Sequence, residues 1–456
     1  MRTRPLLAAL ALAAACARPT PPGPPEGGAA EVREGQGRSA AAPAEASAAE
    51  GASAAEAPTG DREARARATA LRIMAEVAAA RSLAVTGEVS IQVLDRKAVR
   101  DFAKAALYEH NTPEKLRLIG RVEASLGVLP PGSDAERVLL DMLEESVLGI
   151  YDPKTKALLI GAHVGDGMLS MVVGHEIAHG LQDMHFGLQR YQTPMDGQSD
   201  AESARTFLIE GDAQASYLAW VSGAAGLGSI GDEVLRAMGD QALDLSGVAP
   251  HPILARMLQL PYADGAATVA TIARTEGWAA VDALYRDLPT TTEQMLHPEK
   301  LRAREPAIAV RADAAPLLAR LPGYRRVWED DLGEASLLAM LADVEPSAVA
   351  RRGAAGWGGD RYLVLERAGD PELGRLPITA GMIAWDTEGD AGEFEGIFRR
   401  YLAGKTGGKF VLERRGARVL FATWVPDEAT GKAIAAAGWS AFTVGGKSKA
   451  GAEAGR

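Results

Sequence analysis

His175 and His179 lie four residues apart with Glu176 between them, inside an apolar segment of the chain. On an α-helix, positions i and i+4 are about 40° apart around the axis and one turn along it, so both imidazoles point toward one spot. Glu176 is rotated by about 100° from His175, which places its carboxylate beside that spot. Because these three polar side chains are costly to bury without a partner, the spacing predicts that residues 167–184 form a helix that binds a metal ion.

A catalytic zinc site takes three protein ligands and leaves the fourth position to water. Two residues compete to be the third ligand. His185 reaches the metal only if the helix ends near Gln182, because a continuing helix turns it away from His179. Glu210 lies on the next predicted helix, 206–221, and the separation of 31 positions between His179 and Glu210 allows a loop and an antiparallel return. We favour Glu210 and keep His185 as the alternative.

A His-Glu-x-x-His motif followed by a glutamate on the next long helix resembles the gluzincin group of zinc metallopeptidases, to which thermolysin-like enzymes belong. The strings His175-Glu-Ile-Ala-His-Gly-Leu-Gln-Asp183 and Glu210-Gly-Asp-Ala213 also resemble a set of exported prokaryotic proteins. The resemblance implies a zincin-like fold in which His175, His179 and Glu210 bind Zn²⁺ and Glu176 is the general base. It also implies that the chain hydrolyses peptide bonds in a peptide or protein substrate.

The same resemblance suggests two residues that stabilise the oxyanion of the reaction, Tyr262 and His297. Both lie downstream of the predicted zinc helices in segments rich in turn residues, where gluzincins supply such a donor. A packed aromatic ring and a helix-capping histidine are the alternative roles.

Three further features complete the predicted site. Asp183 and Asp212 are candidates to accept hydrogen bonds from the ligand imidazoles, or else are ordinary solvated acids. Residues 156–160 are predicted as a strand before the zinc helix, whose edge binds an extended peptide by analogy with gluzincins. The string Trp357-Gly-Gly-Asp-Arg-Tyr362 resembles sequence in the same exported set, and its glycines suggest a tight turn into a strand.

A function from another class fits some of these features. A surface-anchored binding or scaffold lipoprotein with a structural zinc ion would also need the two histidines. Structural zinc sites fill the fourth position with a protein ligand, so a fourth ligand near the metal would favour this alternative. It leaves Glu176 without a role.

The spacing of apolar and turn residues predicts an α+β fold. We expect a mainly helical zincin-like metallopeptidase domain with a small sheet at 62–324, in which 62–145 is a candidate for a separate helical part. A smaller α+β domain follows at 325–445, and a disordered tail occupies 446–456. The strands predicted in the second domain are 362–366, 379–385, 410–414 and 418–423, and its helices are 391–403 and 428–437.

The N-terminus predicts export. Arg2 and Arg4 precede an apolar run that ends at Cys16, the only cysteine of the chain. This pattern resembles a bacterial lipoprotein signal at 1–16, although Ala13 stands where leucine is usual, and an ordinary signal peptide is the alternative. We expect a lipidated Cys16 that anchors the chain to a membrane of the bacterial cell envelope, the periplasm or outer membrane. Residues 17–61 are rich in small and polar residues and are predicted to be a disordered linker.

The charge of the chain excludes nucleic acid as a partner. The net charge is −11 and the isoelectric point is near 5.3. The sequence contains no basic block that could neutralise the phosphates of a nucleic acid. A single cysteine also excludes an intrachain disulfide.

Overall fold

A computed structural model describes residues 59–146, 148–231, 233–235, 251–371 and 373–447. Its class is α+β, as predicted. The predicted signal, Cys16 and nearly all of the linker lie outside the described residues, as do residues 448–456 of the predicted tail. Among the helices that are described, none is both long and apolar enough to span a membrane.

The N-terminal part of the fold is mainly helical and has one small sheet. Its elements in chain order are α1 (Thr59–Arg81), β1 (Ser90–Leu94), α2 (Arg96–Glu109), α3 (Pro113–Leu126), α4 (Ala135–Ser146), β2 (Gly149–Asp152), β3 (Ala157–Gly161), α5 (Asp166–Phe186), α6 (Ser199–Val221), α7 (Pro252–Leu260), α8 (Ala266–Glu276), α9 (Trp278–Leu284), α10 (Thr292–Leu296) and α11 (Pro298–Ala303). A π-helical turn, Pro261–Gly265, joins α7 to α8.

The small sheet has the strand order β1-β3-β2, with β1 parallel and β2 antiparallel to β3. Residues 62–145 therefore do not form a separate part, because they contribute β1 to the same sheet and α1 packs on both α5 and α6. The predicted substrate strand at 156–160 corresponds to β3. It is the central strand of this sheet, so the prediction that its edge binds a peptide is wrong, and the edge strands are β1 and β2.

Helix α5 continues to Phe186 and ends at Gly187, which has a positive φ of 67° that favours glycine. The helix therefore passes through Gln182 without a break. His185 lies exposed near its end, with Nε2 2.7 Å from the carbonyl oxygen of Ala84. This position removes His185 from the list of metal ligands.

The C-terminal part is a five-stranded antiparallel sheet with helices and a small two-stranded sheet. Its elements are β4 (Ile308–Ala312), α12 (Ala315–Leu318), β5 (Tyr324–Asp330), α13 (Gly333–Leu341), α14 (Ser347–Ala354), β6 (Trp357–Arg367), β7 (Ile378–Trp385), α15 (Glu388–Thr406), β8 (Phe410–Arg415), β9 (Arg418–Thr423), α16 (Glu428–Ala441) and β10 (Phe442–Lys447). The large sheet has the order β5-β6-β7-β9-β8, and the four strands predicted from sequence all lie in it.

The boundary between the two parts lies before the predicted position at 324/325. Strand β4 pairs with β10, the last strand of the C-terminal part. The string at 357–362 lies against β4, and its glycines allow the two backbones to approach closely. A Cβ on Gly359 would lie 2.1 Å from the carbonyl oxygen of Ile308. These glycines lie within β6 and permit close backbone contact rather than a tight turn.

Helix α13 joins the two parts of the fold. All nine of its residues are buried, and they pack on α7, α10 and α6 as well as on α14 and β6. One hydrophobic cluster accordingly runs through both parts. The C-terminal part is therefore positioned to influence the metal-ligand helix α6.

Carboxylates from the C-terminal part bind the N-terminal end of α6. The backbone N–H of Ser199 donates to Asp330 at 3.1 Å, and that of Asp200 donates to Asp331 at 2.8 Å. Such N–H groups have no partner within the helix, and anions are favoured near them. Asp200 in turn accepts a hydrogen bond from the backbone N–H of Thr292 at 3.0 Å. The start of α6 is thus fixed by a cluster of buried acids.

We expect Asp200→Asn to stabilise the fold at alkaline pH. Burial raises the pKa of Asp200 to about 7, despite the hydrogen bonds from Thr292. A carboxyl whose folded pKa exceeds its unfolded value of about 3.9 contributes full stability below that value and loses it as pH rises through the folded pKa. The variant should therefore raise the free energy of unfolding by about 1–3 kcal/mol at pH 8 and have little effect at pH 4. Urea denaturation from pH 4 to 8 measures this difference.

Asp427→Asn is the matched control. Asp427 caps the N-terminus of α16, and hydrogen bonds from backbone N–H groups lower its pKa. Its contribution has the opposite sign: it is present above the unfolded pKa and is lost in acid. A gain at pH 8 in this variant, or none in Asp200→Asn, would contradict the account.

Candidate metal centre

His175, His179 and Glu210 converge on one buried point between α5 and α6. The two Nε2 atoms are 3.1 Å apart, and Oε2 of Glu210 lies 3.4 Å from that of His175 and 3.2 Å from that of His179. All three side chains are at most 6 % exposed. In the described part of the chain these residues form a potential metal-binding group with no fourth His, Cys, Asp or Glu ligand. The structure thus brings together the three residues predicted as ligands.

Two glutamines orient the imidazoles. Oε1 of Gln182 lies 2.9 Å from Nδ1 of His179, and Oε1 of Gln214 lies 3.3 Å from Nδ1 of His175. The amide of Gln182 also donates to the carbonyl of Ile209 at 2.9 Å, which fixes its Oε1 toward the ring. Because an amide oxygen only accepts, each Nδ1 carries a hydrogen, and each Nε2 offers a lone pair when its ring is in the neutral form that binds a metal. The lone pairs and a carboxylate therefore face one point, which fits a bound cation such as Zn²⁺.

The charges at this centre favour a cation. Burial lowers the pKa of His175, whereas at His179 the Glu210 carboxylate outweighs burial and raises the pKa to about 9. Burial alone would raise the pKa of Glu210, but the two imidazoles lower it to about 2. Glu210 therefore stays ionised and attracts positive charge, either a proton or a metal ion.

Glu176 lies beside the start of β2. It is fully buried, and a Cβ on Gly149 would lie 3.0 Å from its Cγ, 3.4 Å from its Oε1 and 2.6 Å from Val172. Only glycine leaves this space at position 149. The carboxylate therefore faces the edge strand β2 from α5, and its charge helps to raise the pKa of His179, although Glu176 lies outside the group of metal ligands.

Tyr262 lies in the π-helical turn and stacks on His175, with ring centroids 5.7 Å apart and planes at 26°. Two glycines allow α6 to lie close to this turn, because a Cβ on Gly211 would lie 2.4 Å from the carbonyl carbon of Gly265. The glycine of the Glu210-Gly-Asp-Ala213 string thus lets α6 touch the turn. The structure places Tyr262 at the centre, where its predicted role as oxyanion donor stays a prediction.

His297 does not join the metal group. It connects α10 to α11, and its Nε2 lies 2.8 Å from Oε1 of Glu334 on α13. Glu334 outweighs the effect of burial and raises the pKa of His297. The described ion pairs of His297 are with Glu334 on α13 and Glu299 on α11, which provides no support for its predicted role in catalysis.

Asp183 and Asp212 have neither of the two roles considered for them, because both are buried and the imidazole Nδ1 atoms face glutamines instead. Asp183 accepts hydrogen bonds from Tyr151 at 3.0 Å and from Lys156. Asp212 forms a buried ion pair with Arg81 at 2.6 Å. The orienting residues are the glutamines, which the sequence analysis missed although a helical signal was present: Gln182 follows His179 by three residues and Gln214 follows Glu210 by four.

A family model for a domain of unknown function, DUF8575, matches residues 320–444. The match covers less than a third of the chain and leaves out the metal group. No curated protein and no solved structure matches the chain. The matched segment includes α13, the helix that packs against α6 and α7.

Replacing an orienting glutamine is expected to weaken metal binding. In Gln182→Ala the Nδ1–H of His179 loses its acceptor, so the ring is no longer held in the binding orientation. We expect about a 10- to 100-fold loss of zinc affinity, measured by competition with a chromogenic chelator. The control is Gln189→Ala, an exposed glutamine shortly after α5. Equal affinities in the two variants would refute this role.

Proposed function

We propose that this protein is a zinc-dependent metallopeptidase of gluzincin type. The observation that carries the proposal is a buried group of two Nε2 atoms and one carboxylate oxygen, together with a further buried carboxylate, Glu176, whose charge acts on His179. Three protein ligands leave a position for water or substrate, as in catalytic rather than structural zinc sites. The gluzincin resemblance supports a peptide bond as the substrate.

The residues of the chain have distinct roles in this proposal. A zinc ion at the centre would polarise the scissile carbonyl and make water acidic enough to lose a proton near neutral pH. Glu176 takes that proton and donates it to the leaving amine. Gln182 and Gln214 hold the imidazoles in place, and Tyr262 lies against His175, where a hydroxyl is suited to oxyanion stabilisation.

We further propose that the enzyme works outside the cytoplasm. The support is the basic and apolar N-terminus ending at Cys16, followed by a linker that would hold the folded body away from a membrane. Radiolabelled palmitate incorporated by the wild type but not by Cys16→Ala would establish the anchor. A wild-type protein that is exported without incorporating palmitate would indicate an ordinary signal peptide instead of a lipoprotein signal.

Metal removal tests the proposed function. The full chain, purified after expression in zinc-supplemented medium, should contain about one zinc per molecule by elemental analysis. Casein or a mixed peptide library should be hydrolysed, with activity lost on treatment with 1,10-phenanthroline and restored by added Zn²⁺. Zinc-loaded protein that cleaves none of these substrates would argue against a peptidase.

A further inference from the structure

A small cavity lies directly against the metal group. Its volume is about 30 Å³, and Glu210 and Tyr262 form one side of it. Glu210 is a metal ligand and Tyr262 stacks on the ligand His175. A group that enters the cavity therefore lies next to whatever is bound at the metal.

The rest of the cavity is mainly apolar. Phe207 lies one turn before Glu210 on α6, Met257 and Leu258 come from α7, and Ala335 comes from α13. These four side chains are at most 9 % exposed. Ser203, Thr206 and Ser336 add hydroxyl groups, and within the lining Glu210 provides the charge. Such a lining favours an uncharged aliphatic group over a charged one.

We propose that this cavity receives a substrate side chain and selects alanine or valine. This inference rests on the proposed peptidase function. The smallest space that holds one water is about 10–15 Å³, so a cavity of about 30 Å³ admits a methyl or isopropyl group but no aromatic ring. Because Ala335 lies in the DUF8575 segment, the C-terminal part provides one wall of the specificity pocket.

Two residues set the size of this pocket. Met257 is a long, flexible side chain in its lining, and its truncation would enlarge the space. Ala335 projects a single methyl group from the buried helix α13, and a larger residue there would fill the space. Met257→Ala and Ala335→Leu therefore change the pocket in opposite directions.

Amino-acid hydroxamates test the pocket without requiring turnover, because the hydroxamate binds zinc and carries the side chain beside it. Calorimetry on the zinc-loaded full chain compares glycine, alanine, valine and phenylalanine hydroxamates. We expect the alanine and valine compounds to bind at least about tenfold more tightly than the phenylalanine compound. Met257→Ala should reverse this order, and Ala335→Leu should weaken alanine and valine hydroxamates while leaving glycine hydroxamate unchanged.

Met340→Ala is the matched control, since Met340 is a buried methionine of α13 outside the cavity lining. It should lower the melting temperature without altering the order of affinities. Zinc stoichiometry confirms that each variant keeps its metal group. If Ala335→Leu does not fold, Met257→Ala alone decides the outcome.

The two proposals fail in different ways. Equal affinities for all hydroxamates, or an unchanged order in Met257→Ala, would overturn the pocket even if casein is cleaved. The expected order of affinities with no Glu176-dependent hydrolysis would overturn the peptidase function and leave the pocket supported.

Discussion

Glu176→Gln is expected to lower the rate of peptide hydrolysis on the order of 10²- to 10⁴-fold while the protein keeps its zinc. The carboxylate is fully buried on the same helix as the two histidines and its charge acts on His179, but it is not a member of the metal-binding group. Glutamine has nearly the same shape, so it preserves the packing against Gly149, yet it cannot accept a proton near neutral pH. Single-turnover rates and zinc content of the same preparation measure the two effects separately.

Glu202→Gln provides the control for that substitution. Glu202 is also a buried glutamate, lies on α6 and accepts a hydrogen bond from the backbone of Met195 rather than from the metal group. Its replacement should leave both the rate and the zinc content unchanged. Undiminished hydrolysis in Glu176→Gln would show that another group moves the proton, and loss of zinc would show that Glu176 is a ligand.

The local part of the site was predictable from sequence because helical spacing fixes it. A spacing of four positions places His175 and His179 on one face of the helix. The structure adds that α5 continues through Gln182, which removes His185. Glu210 was favoured because its separation from His179 allows the next helix to return antiparallel to the same point. The strands of the C-terminal sheet were also predicted, since their alternation and turns are local signals.

Contacts distant in sequence could not be predicted in this way. That Gly149 of the edge strand β2 lies against Glu176 depends on strand order, which the alternation of one strand does not encode. The Glu210-Gly-Asp-Ala213 string also has three functions that only the packing reveals. Glu210 faces the histidines, Gly211 admits the turn with Tyr262, and Asp212 faces away from the metal toward α1.

Arg81→Met is expected to lower the free energy of unfolding by about 3–5 kcal/mol, because it leaves the buried carboxylate of Asp212 without its counter-ion. Arg81 is 1 % exposed at the end of α1 and donates to Asp212 at 2.6 Å and 3.1 Å. It also donates to Asp282 and lies 4.5 Å from the centre of the Trp278 ring. Urea denaturation at pH 7 measures the loss.

The double variant Arg81→Met/Asp212→Asn separates the buried charge from the lost packing. Asparagine removes the charge and can still accept the hydrogen bond that Tyr285 donates to Asp212 at 2.8 Å. If an uncompensated charge causes most of the loss, the double variant should be more stable than Arg81→Met alone. Arg72→Met, on the exposed face of α1, should change stability by less than about 0.5 kcal/mol. Because Asp212 lies two residues from both Glu210 and Gln214, a large loss confined to Arg81→Met would make α1 a structural support of the metal centre.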